Sequence, residues 1–283
     1  MTRHARLAKL AGMSALTLPA FLCLFAALLL ALHPRSRTPS LLMAVCSIAL
    51  AALSGTVQWP ALCAMAPALV LLKLAHTSSR WQFIALAALA MWALAAALHL
   101  IPGFTPLLWQ NDFGRDAQLP LRWHFDKGLG GLILLHALRP QWIIGDLKRW
   151  ALLLPLCAGL LALTTLFGLA TYDPRWLPSL LLWLTGNLFL TVIAEEAFFR
   201  GLIQSRLQQH LPGRFASPLA VSGTALVFAL VHLPWGLSFA LFAGLAGLFY
   251  GWMAGRESSL QRAIAAHFSL NALSLILMRS PFG

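Results

Sequence analysis

Long apolar runs, separated by short polar breaks, set the pattern of this chain. The runs cover residues 14–32, 41–53, 61–75, 81–101, 150–170, 177–208, 218–233, 237–254 and 260–278. A stretch of about 20 apolar residues is the length that an α-helix needs to cross a bilayer. Because the runs at 41–53 and 61–75 are short, one of them is expected to be tilted or partly re-entrant. The pattern predicts an all-α, polytopic transmembrane helix bundle of about eight spans.

The polar breaks between the apolar runs differ in length and suggest that the chain has two regions. Residues 102–127 are polar and predict a loop or an interfacial segment, and the apolar run at 128–138 is short for a span. The first run lacks a small-residue cleavage site and is interpreted as a retained span rather than a signal peptide. A turn at Asp173-Pro174 suggests a domain boundary near residue 175. We therefore expect an N-terminal transmembrane region at 1–175, without an assigned role, and a C-terminal core at 176–283.

Composition supports the membrane assignment. The chain has 283 residues, of which 60% are hydrophobic and 10% charged, and its mean hydropathy is +0.79. An ordinary soluble domain is far more polar. A transmembrane β-barrel would alternate apolar and polar positions, whereas these runs are continuous.

The net charge of +12 does not indicate a nucleic-acid partner. Lys and Arg fall mainly between the apolar runs, where topology and lipid phosphates account for them. The basic loops at 209–217 and 255–262 predict a cytoplasmic face. For a compact bacterial chain the expected location is the inner membrane, with the lipid bilayer as a partner and no nucleic acid.

The most informative polar group is Glu195-Glu196 with Arg200, at the end of the run from residue 177. Ionisable residues inside a membrane span are costly and mark functional sites. Glu196 and Arg200 are i,i+4 neighbours and are predicted to pair on one helix face. Glu195 points about 100° away from Glu196 and must find a different partner.

Three polar residues of the last spans could meet Glu195. Counting from the helix ends on one side of the membrane, Glu195 and His232 both lie about 21 Å deep, at about 1.5 Å per residue. His267 and Asn271 come to depths of about 12 and 18 Å by the same rise, and their i,i+4 spacing places them on one face. We therefore expect the four side chains in neighbouring layers.

This set of side chains suits hydrolysis in two ways. Glu195 and His232 could hold and deprotonate a water, while His267 and Asn271 donate hydrogen bonds to the developing oxyanion. Alternatively, Glu195, His232 and His267 could ligate zinc and leave one position for the water. The residues alone leave both alternatives open.

The motifs also resemble a known family. Glu195-Glu196-x-x-x-Arg200, Phe228-x-x-x-His232 and His267-x-x-x-Asn271, in this order in apolar helices, are similar to the signature of the CAAX-protease and bacteriocin-processing (CPBP, Abi) intramembrane endopeptidases. The glycine-containing stretch around Gly244, Gly247 and Gly251, ahead of Ser258-Ser259-Leu260, is similar too. The resemblance covers about residues 177–278.

The resemblance implies a role for each matching residue. Glu195 and His232 would activate water, and His267 and Asn271 would form the oxyanion hole. Glu196 and Arg200 would support the architecture, and Phe228 would pack in the site or face the substrate. The resemblance implies an intramembrane glutamate- or metallo-endopeptidase acting on a protein or peptide near its membrane border, so zinc remains the only candidate cofactor.

Other polar residues receive structural interpretations. His99 and His136 are expected to be structural, and His124 and Asp126 to be solvated or interfacial. Gly244, Gly247 and Gly251 are interpreted as positions of close helix packing. The competing function is a non-enzymatic membrane protein, such as a transporter, scaffold or immunity factor that retains a protease-like core. A transporter should show discontinuous helices in two matching halves, a symmetry that this sequence lacks.

Overall fold

The structure is a computed structural model that describes residues 14–77, 80–113, 119–176 and 178–279. The basic N-terminal segment at 1–12 therefore lies outside the described residues. The chain forms two compact units. The first comprises residues 1–108 and 122–137, and the second comprises residues 109–121 and 138–283.

The first unit is built from apolar helices. Phe21 of its first helix packs edge to face against Trp123 and Phe125 at 5.5 Å between ring centroids. Ser40 and Ser47 are buried and donate to carbonyls of that helix, so neither hydroxyl is left unpaired in an apolar layer. The helices are α1 (Thr17–Ala31), α2 (Arg37–Leu53), α3 (Trp59–Thr77), α4 (Gln82–Ala97) and α5 (Phe125–Leu138).

The described part of the second unit contains five further helices, one of which includes π-segments, and a short two-stranded sheet. In that sheet β3 (Thr171–Tyr172) pairs antiparallel with β4 (Met278–Arg279), which follows the last helix. The helices are α6 (Leu147–Leu166), α7 (Leu180–His210), α8 (Ala216–Val231), α9 (Leu237–Ala254) and α10 (Leu260–Leu277).

The architecture confirms the prediction of a polytopic helical bundle. Among the described residues, six helices are long and apolar enough to cross a membrane, and three shorter apolar helices accompany them. The predicted span at 237–254 coincides with α9. Many of the large apolar side chains on these helices are exposed, as expected for surfaces that face lipid.

The sequence missed some elements. A two-stranded sheet of β1 (Leu107–Phe113) and β2 (Leu119–Trp123) occupies the stretch predicted as a loop. The run at 128–138, predicted to be short for a span, forms most of helix α5, which is not among the helices long enough to cross a membrane. The error therefore concerns β1 and β2, which are adjacent in sequence and whose strand signal was not recognised.

Helix α7 departs from regular α geometry where its polar residues lie. It contains two π-helical segments, Asn187–Val192 and Ala197–Gln204, on either side of the α-turn Ile193–Glu196. π-Segments widen the helix and are frequent at functional sites. The glutamates therefore sit in a short regular turn between two wider ones, an arrangement that apolar periodicity does not reveal.

A polar ladder joins helices α7 and α9. Arg200 Nη2, Gln204 Nε2 and Gln208 Nε2 donate to the carbonyl oxygens of Gly247, Gly251 and Gly255 at 3.0, 3.1 and 3.2 Å. Donors and acceptors both advance by four residues, so each turn of α7 is bonded to the neighbouring turn of α9 or to its C-terminal end.

The glycines allow this close approach. A Cβ at Gly247 would lie 3.2 Å from the Cα of Ala225 in α8, and one at Gly251 would lie 2.8 Å from Gln204 Oε1. The structure thus confirms the interpretation of Gly244, Gly247 and Gly251 as packing positions. Without these glycines, α9 could not lie close to both α7 and α8.

A buried arginine fixes the loop between α9 and α10. Arg262 donates to the carbonyls of Met253, Ala254 and Gly145 and to Glu257 Oε2, with the last at 2.7 Å. Ser259 caps α10 by accepting from the backbone N–H of Arg262. The start of α10, which carries His267, is therefore anchored.

The packing predicts a position-specific effect of glycine replacement. Gly247→Leu should lower the unfolding free energy by about 1–3 kcal/mol, because its new side chain meets the backbone of Ala225. Thermal unfolding of the detergent-solubilised protein measures this. Gly159→Leu is the matched control, since a Cβ at Gly159, in α6, meets nothing within 4 Å. Equal stability of the two variants would contradict the packing role.

Candidate active site

The site contains a buried ion pair. Arg200 Nη1 donates to Glu196 Oε1 at 2.9 Å, and both side chains are fully buried. The i,i+4 pairing expected from the sequence is therefore present. The rings of Phe228 and Tyr250 lie 5.0 and 5.2 Å from the guanidinium carbon of Arg200, within cation–π range.

His267 joins this pair from helix α10. Its Nδ1 lies 2.7 Å from Glu196 Oε1, and its Nε2 lies 3.9 Å from Glu195 Oε2. The expectation was that Arg200 alone neutralises Glu196 and that the remaining polar groups gather around Glu195. Instead, His267 contacts Glu196 more closely and stands between the two carboxylates.

The hydrogen bond to Glu196 fixes the protonation of one ring nitrogen. An ionised carboxylate can only accept, so His267 Nδ1 carries a hydrogen and donates it. The opposite nitrogen, Nε2, is thereby turned toward Glu195. Tyr250 stacks on the imidazole at 4.4 Å with 13° between the ring planes, which restricts rotation of the ring.

His232 occupies the end of helix α8. It is the residue that follows Val231, and its Nδ1 lies 2.7 Å from the backbone carbonyl of Phe228. A carbonyl oxygen can only accept, so Nδ1 is the donor and Nε2 of the neutral ring carries a free lone pair. His232 is half-buried, so its ring is partly accessible.

Phe228 links the two histidines. Its ring centroid lies 4.5 Å from that of His232 and 5.9 Å from that of His267. Phe228 is 3% exposed, so it packs between the imidazoles rather than facing open space. Of the two roles expected for this residue, its position favours packing.

Asn271 lies one turn beyond His267 on α10, and its Nδ2 donates to Asn187 Oδ1 on α7 at 3.4 Å. The structure thus brings Glu195, Glu196, Arg200 and His267 into direct contact. It places His232 and Asn271 beside this group through Phe228 and through the α10 helix.

Sequence reasoning missed three residues of the site. Asn187 contacts Asn271, Tyr250 stacks on His267, and Gln204 extends the polar ladder below Arg200. A usable signal was present for Gln204, which continues the four-residue spacing from Glu196 and Arg200. For Asn187 and Tyr250 no pattern within their own helices pointed to the site.

The zinc alternative can be tested against the side-chain positions. Within the described part of the chain, ligand atoms within 4.8 Å of one another were found for His99, His124 and Asp126, but not for Glu195, His232 and His267. Zinc ligands lie about 2.0–2.2 Å from the ion and therefore close together. As placed, the three predicted ligands do not fit a zinc ion.

An apolar cavity of about 760 Å³ lies between α6, α8 and α9. Thr164, Ala225 and Leu241 are among its lining residues, and none of Glu195, His232, His267 and Asn271 contributes to it. The cavity is therefore separate from the polar cluster.

One polar residue of the first unit, Asp126, differs from expectation. Asp126, expected to be solvated or interfacial, is 3% exposed and contacts His99 at 2.8 Å. Burial, together with the neighbouring His99, lowers the pKa of His124 to about 4. His136 lies 3.0 Å from the Ser40 hydroxyl, consistent with a structural role.

Comparison with known proteins supports the family resemblance. Residues 176–273 match the model of the family described as type II CAAX prenyl endopeptidase Rce1-like, and this range contains all the site residues discussed in the second unit. No curated protein and no solved structure matches the chain. The three motifs and this match agree, and the C-terminal region of the chain, at residues 176–273, is a domain of the Rce1-like CAAX-protease family.

Proposed function

We propose that this protein is an intramembrane endopeptidase in which Glu195 and His232 activate water. The family implies a peptidase that acts on a peptide substrate within a membrane. The observation that best supports the mechanism is the position of His267, with Nδ1 on Glu196 and Nε2 facing Glu195. The N-terminal region, 1–175, would contribute to substrate selection.

Charge balance supports an assignment of protons. A buried cluster of uncompensated charge is strongly disfavoured. The charges of Glu196 and Arg200 cancel each other. His267 with a hydrogen on Nδ1 alone is neutral, so together with an ionised Glu195 it carries one negative charge. One additional proton on either residue makes this pair neutral. With that proton on His267 Nε2, Glu195 is an ionised base and His267 is an imidazolium that can donate.

The reaction then follows from these states. A water molecule held by Glu195 and His232 gives a proton to Glu195 while the water oxygen attacks the scissile carbonyl. His267 Nε2–H and the Asn271 amide donate to the oxyanion that forms. When the intermediate collapses, the C–N bond breaks and the proton taken from water passes to the leaving amine. The products are a carboxylic acid, which then releases its proton to solvent, and a free amine.

The exposure of the site residues supports a proposal for the substrate class. Glu195 is 20% exposed and His232 is half-buried, whereas Glu196 and Arg200 are inaccessible. A peptide would therefore meet the Glu195–His232 side. We propose a protein or peptide cleaved near its membrane border, in a bacterial inner membrane. The family description adds prenylated proteins as candidates.

Removing the base should abolish cleavage and leave the fold intact. Glu195→Gln and His232→Ala are each expected to lower the cleavage rate by about 10²–10⁴-fold, the usual contribution of general acid–base catalysis. Terminal proteomics of native host membranes, at matched protein levels, identifies a precursor that accumulates in both variants. Purified protein and that precursor then give the rates.

His210→Ala is the matched control, because His210 is exposed and contacts the carbonyl of Arg206 outside the site. This variant should cleave at the wild-type rate. If Glu195→Gln and His232→Ala also behave as wild type, the endopeptidase proposal is wrong and a binding or transport function takes its place.

The proposed oxyanion contact predicts a different kinetic signature. Asn271→Ala should lower kcat by about 10²–10³-fold, the effect of losing one such donor, with KM unchanged. Asn187→Ala should have a smaller effect, since Asn187 only orients Asn271. A raised KM at constant kcat for Asn271→Ala would instead assign Asn271 to substrate binding.

The ion pair predicts a loss of stability rather than of chemistry alone. Arg200→Met should lower the unfolding free energy by about 3–5 kcal/mol, because it leaves the Glu196 charge buried without its partner. Thermal unfolding in detergent is the measurement. The double variant Arg200→Met/Glu196→Gln should recover part of the loss. No recovery would contradict a charge-pairing role.

A further inference from the structure

We infer that His99, His124 and Asp126, in the first unit, form a binding site for a transition-metal cation of the zinc type. One ligand atom from each of the three side chains lies within 4.8 Å of the other two. Two imidazoles and a carboxylate are a common protein ligand set for zinc, with a fourth position left for water or another ligand. None of these residues belongs to the proposed peptidase site.

The backbone at His99 adopts a conformation in which glycine is the usual residue. Helix α4 ends in a Schellman motif, in which the N–H groups of His99 and Leu100 donate to the carbonyls of Ala96 and Ala95. His99 has φ +58°, at the position where such motifs usually carry glycine. The cap explains the backbone conformation, but it does not explain an imidazole in place of glycine.

The side-chain contacts supply that explanation. His99 Nδ1 lies 2.8 Å from Asp126 Oδ2, while Asp126 Oδ1 accepts from the backbone N–H of Lys127 at 2.9 Å. The carboxylate is therefore held with one oxygen directed at His99. A divalent cation bound by His99 Nδ1 and Asp126 Oδ2 replaces the proton that the two atoms share, and that proton is released to solvent.

His124 completes the set. Its ring stacks on that of His99, with 3.9 Å between centroids and 25° between planes. The hydrogen bond between His99 and Asp126 accounts for only two of the three side chains. A shared cation accounts for the second imidazole as well. The His99 side chain is 44% exposed, so a cation can reach the site, whereas that of Asp126 is 4% exposed.

Metal binding to the full-length protein tests the proposal. The protein is purified in detergent, stripped with a chelator and titrated with Zn²⁺ by calorimetry and with Co²⁺ by visible absorption. We expect one equivalent at the first-unit site, with Co²⁺ spectra that indicate nitrogen and oxygen ligands. A His232→Ala/His267→Ala background should bind the same equivalent, which separates this site from the peptidase residues.

The variants are chosen so that the fold survives. His99→Asn keeps a residue that tolerates positive φ, and His124→Phe keeps an aromatic ring for stacking. Each should weaken binding at least 10-fold, whereas His33→Ala, a histidine of the same unit outside the cluster, should bind as wild type. Absence of binding to the wild-type protein would overturn the proposal, as would unchanged binding in His99→Asn and His124→Phe.

Discussion

The buried pairing of Glu196 with Arg200 is the constraint on which the C-terminal region depends. A charge in an apolar layer must be neutralised and hydrogen-bonded, or the fold is lost. Arg200 meets both demands by binding Glu196 within its own helix and the carbonyl of Gly247 on α9. The same guanidinium therefore neutralises the carboxylate and sets the distance between two helices. Gln204 and Gln208 repeat the hydrogen bond to a carbonyl on the next two turns, so α7 is joined to α9 and its C-terminal end at three successive positions.

The positions of the candidate catalytic residues depend on this ion pair. Because Glu196 is fixed by Arg200, its Oε1 can orient His267 through Nδ1, and the other ring nitrogen then faces Glu195. Glu195 is 20% exposed, whereas Glu196 is fully buried. Under the proposed mechanism the two adjacent glutamates therefore have different roles: Glu196 is a buried anchor, and Glu195 is the base that activates water. Both glutamates lie in the α-turn between two π-segments, and adjacent residues of an α-turn point about 100° apart.

Different parts of the molecule were predictable to different degrees. Residues close in sequence were placed well, since helix geometry alone fixes Glu196 beside Arg200 and Asn271 one turn from His267. Span positions followed from apolar length, as α9 illustrates. The partner of His267 was not predictable, because a straight 3.6-residue helix gives no reason for it to choose Glu196 over Glu195. Asn187 and Tyr250 were not predicted, because each contributes to the site through a contact with another helix. Strands β3 and β4 were missed for a similar reason, because they pair with each other although they are far apart in sequence.

The sequence by itself determined the membrane class, the approximate spans, the Glu196–Arg200 pair and the set of polar residues that the apolar helices bring to similar depths. These features depend on local geometry and on the cost of placing charge in lipid, both of which can be read along one chain. The tertiary structure alone decided which carboxylate holds His267, which nitrogen of each histidine carries the hydrogen, and how His99, His124 and Asp126 converge. Each of these depends on the angles and distances between elements far apart in sequence, and helix packing and backbone hydrogen bonds set those distances.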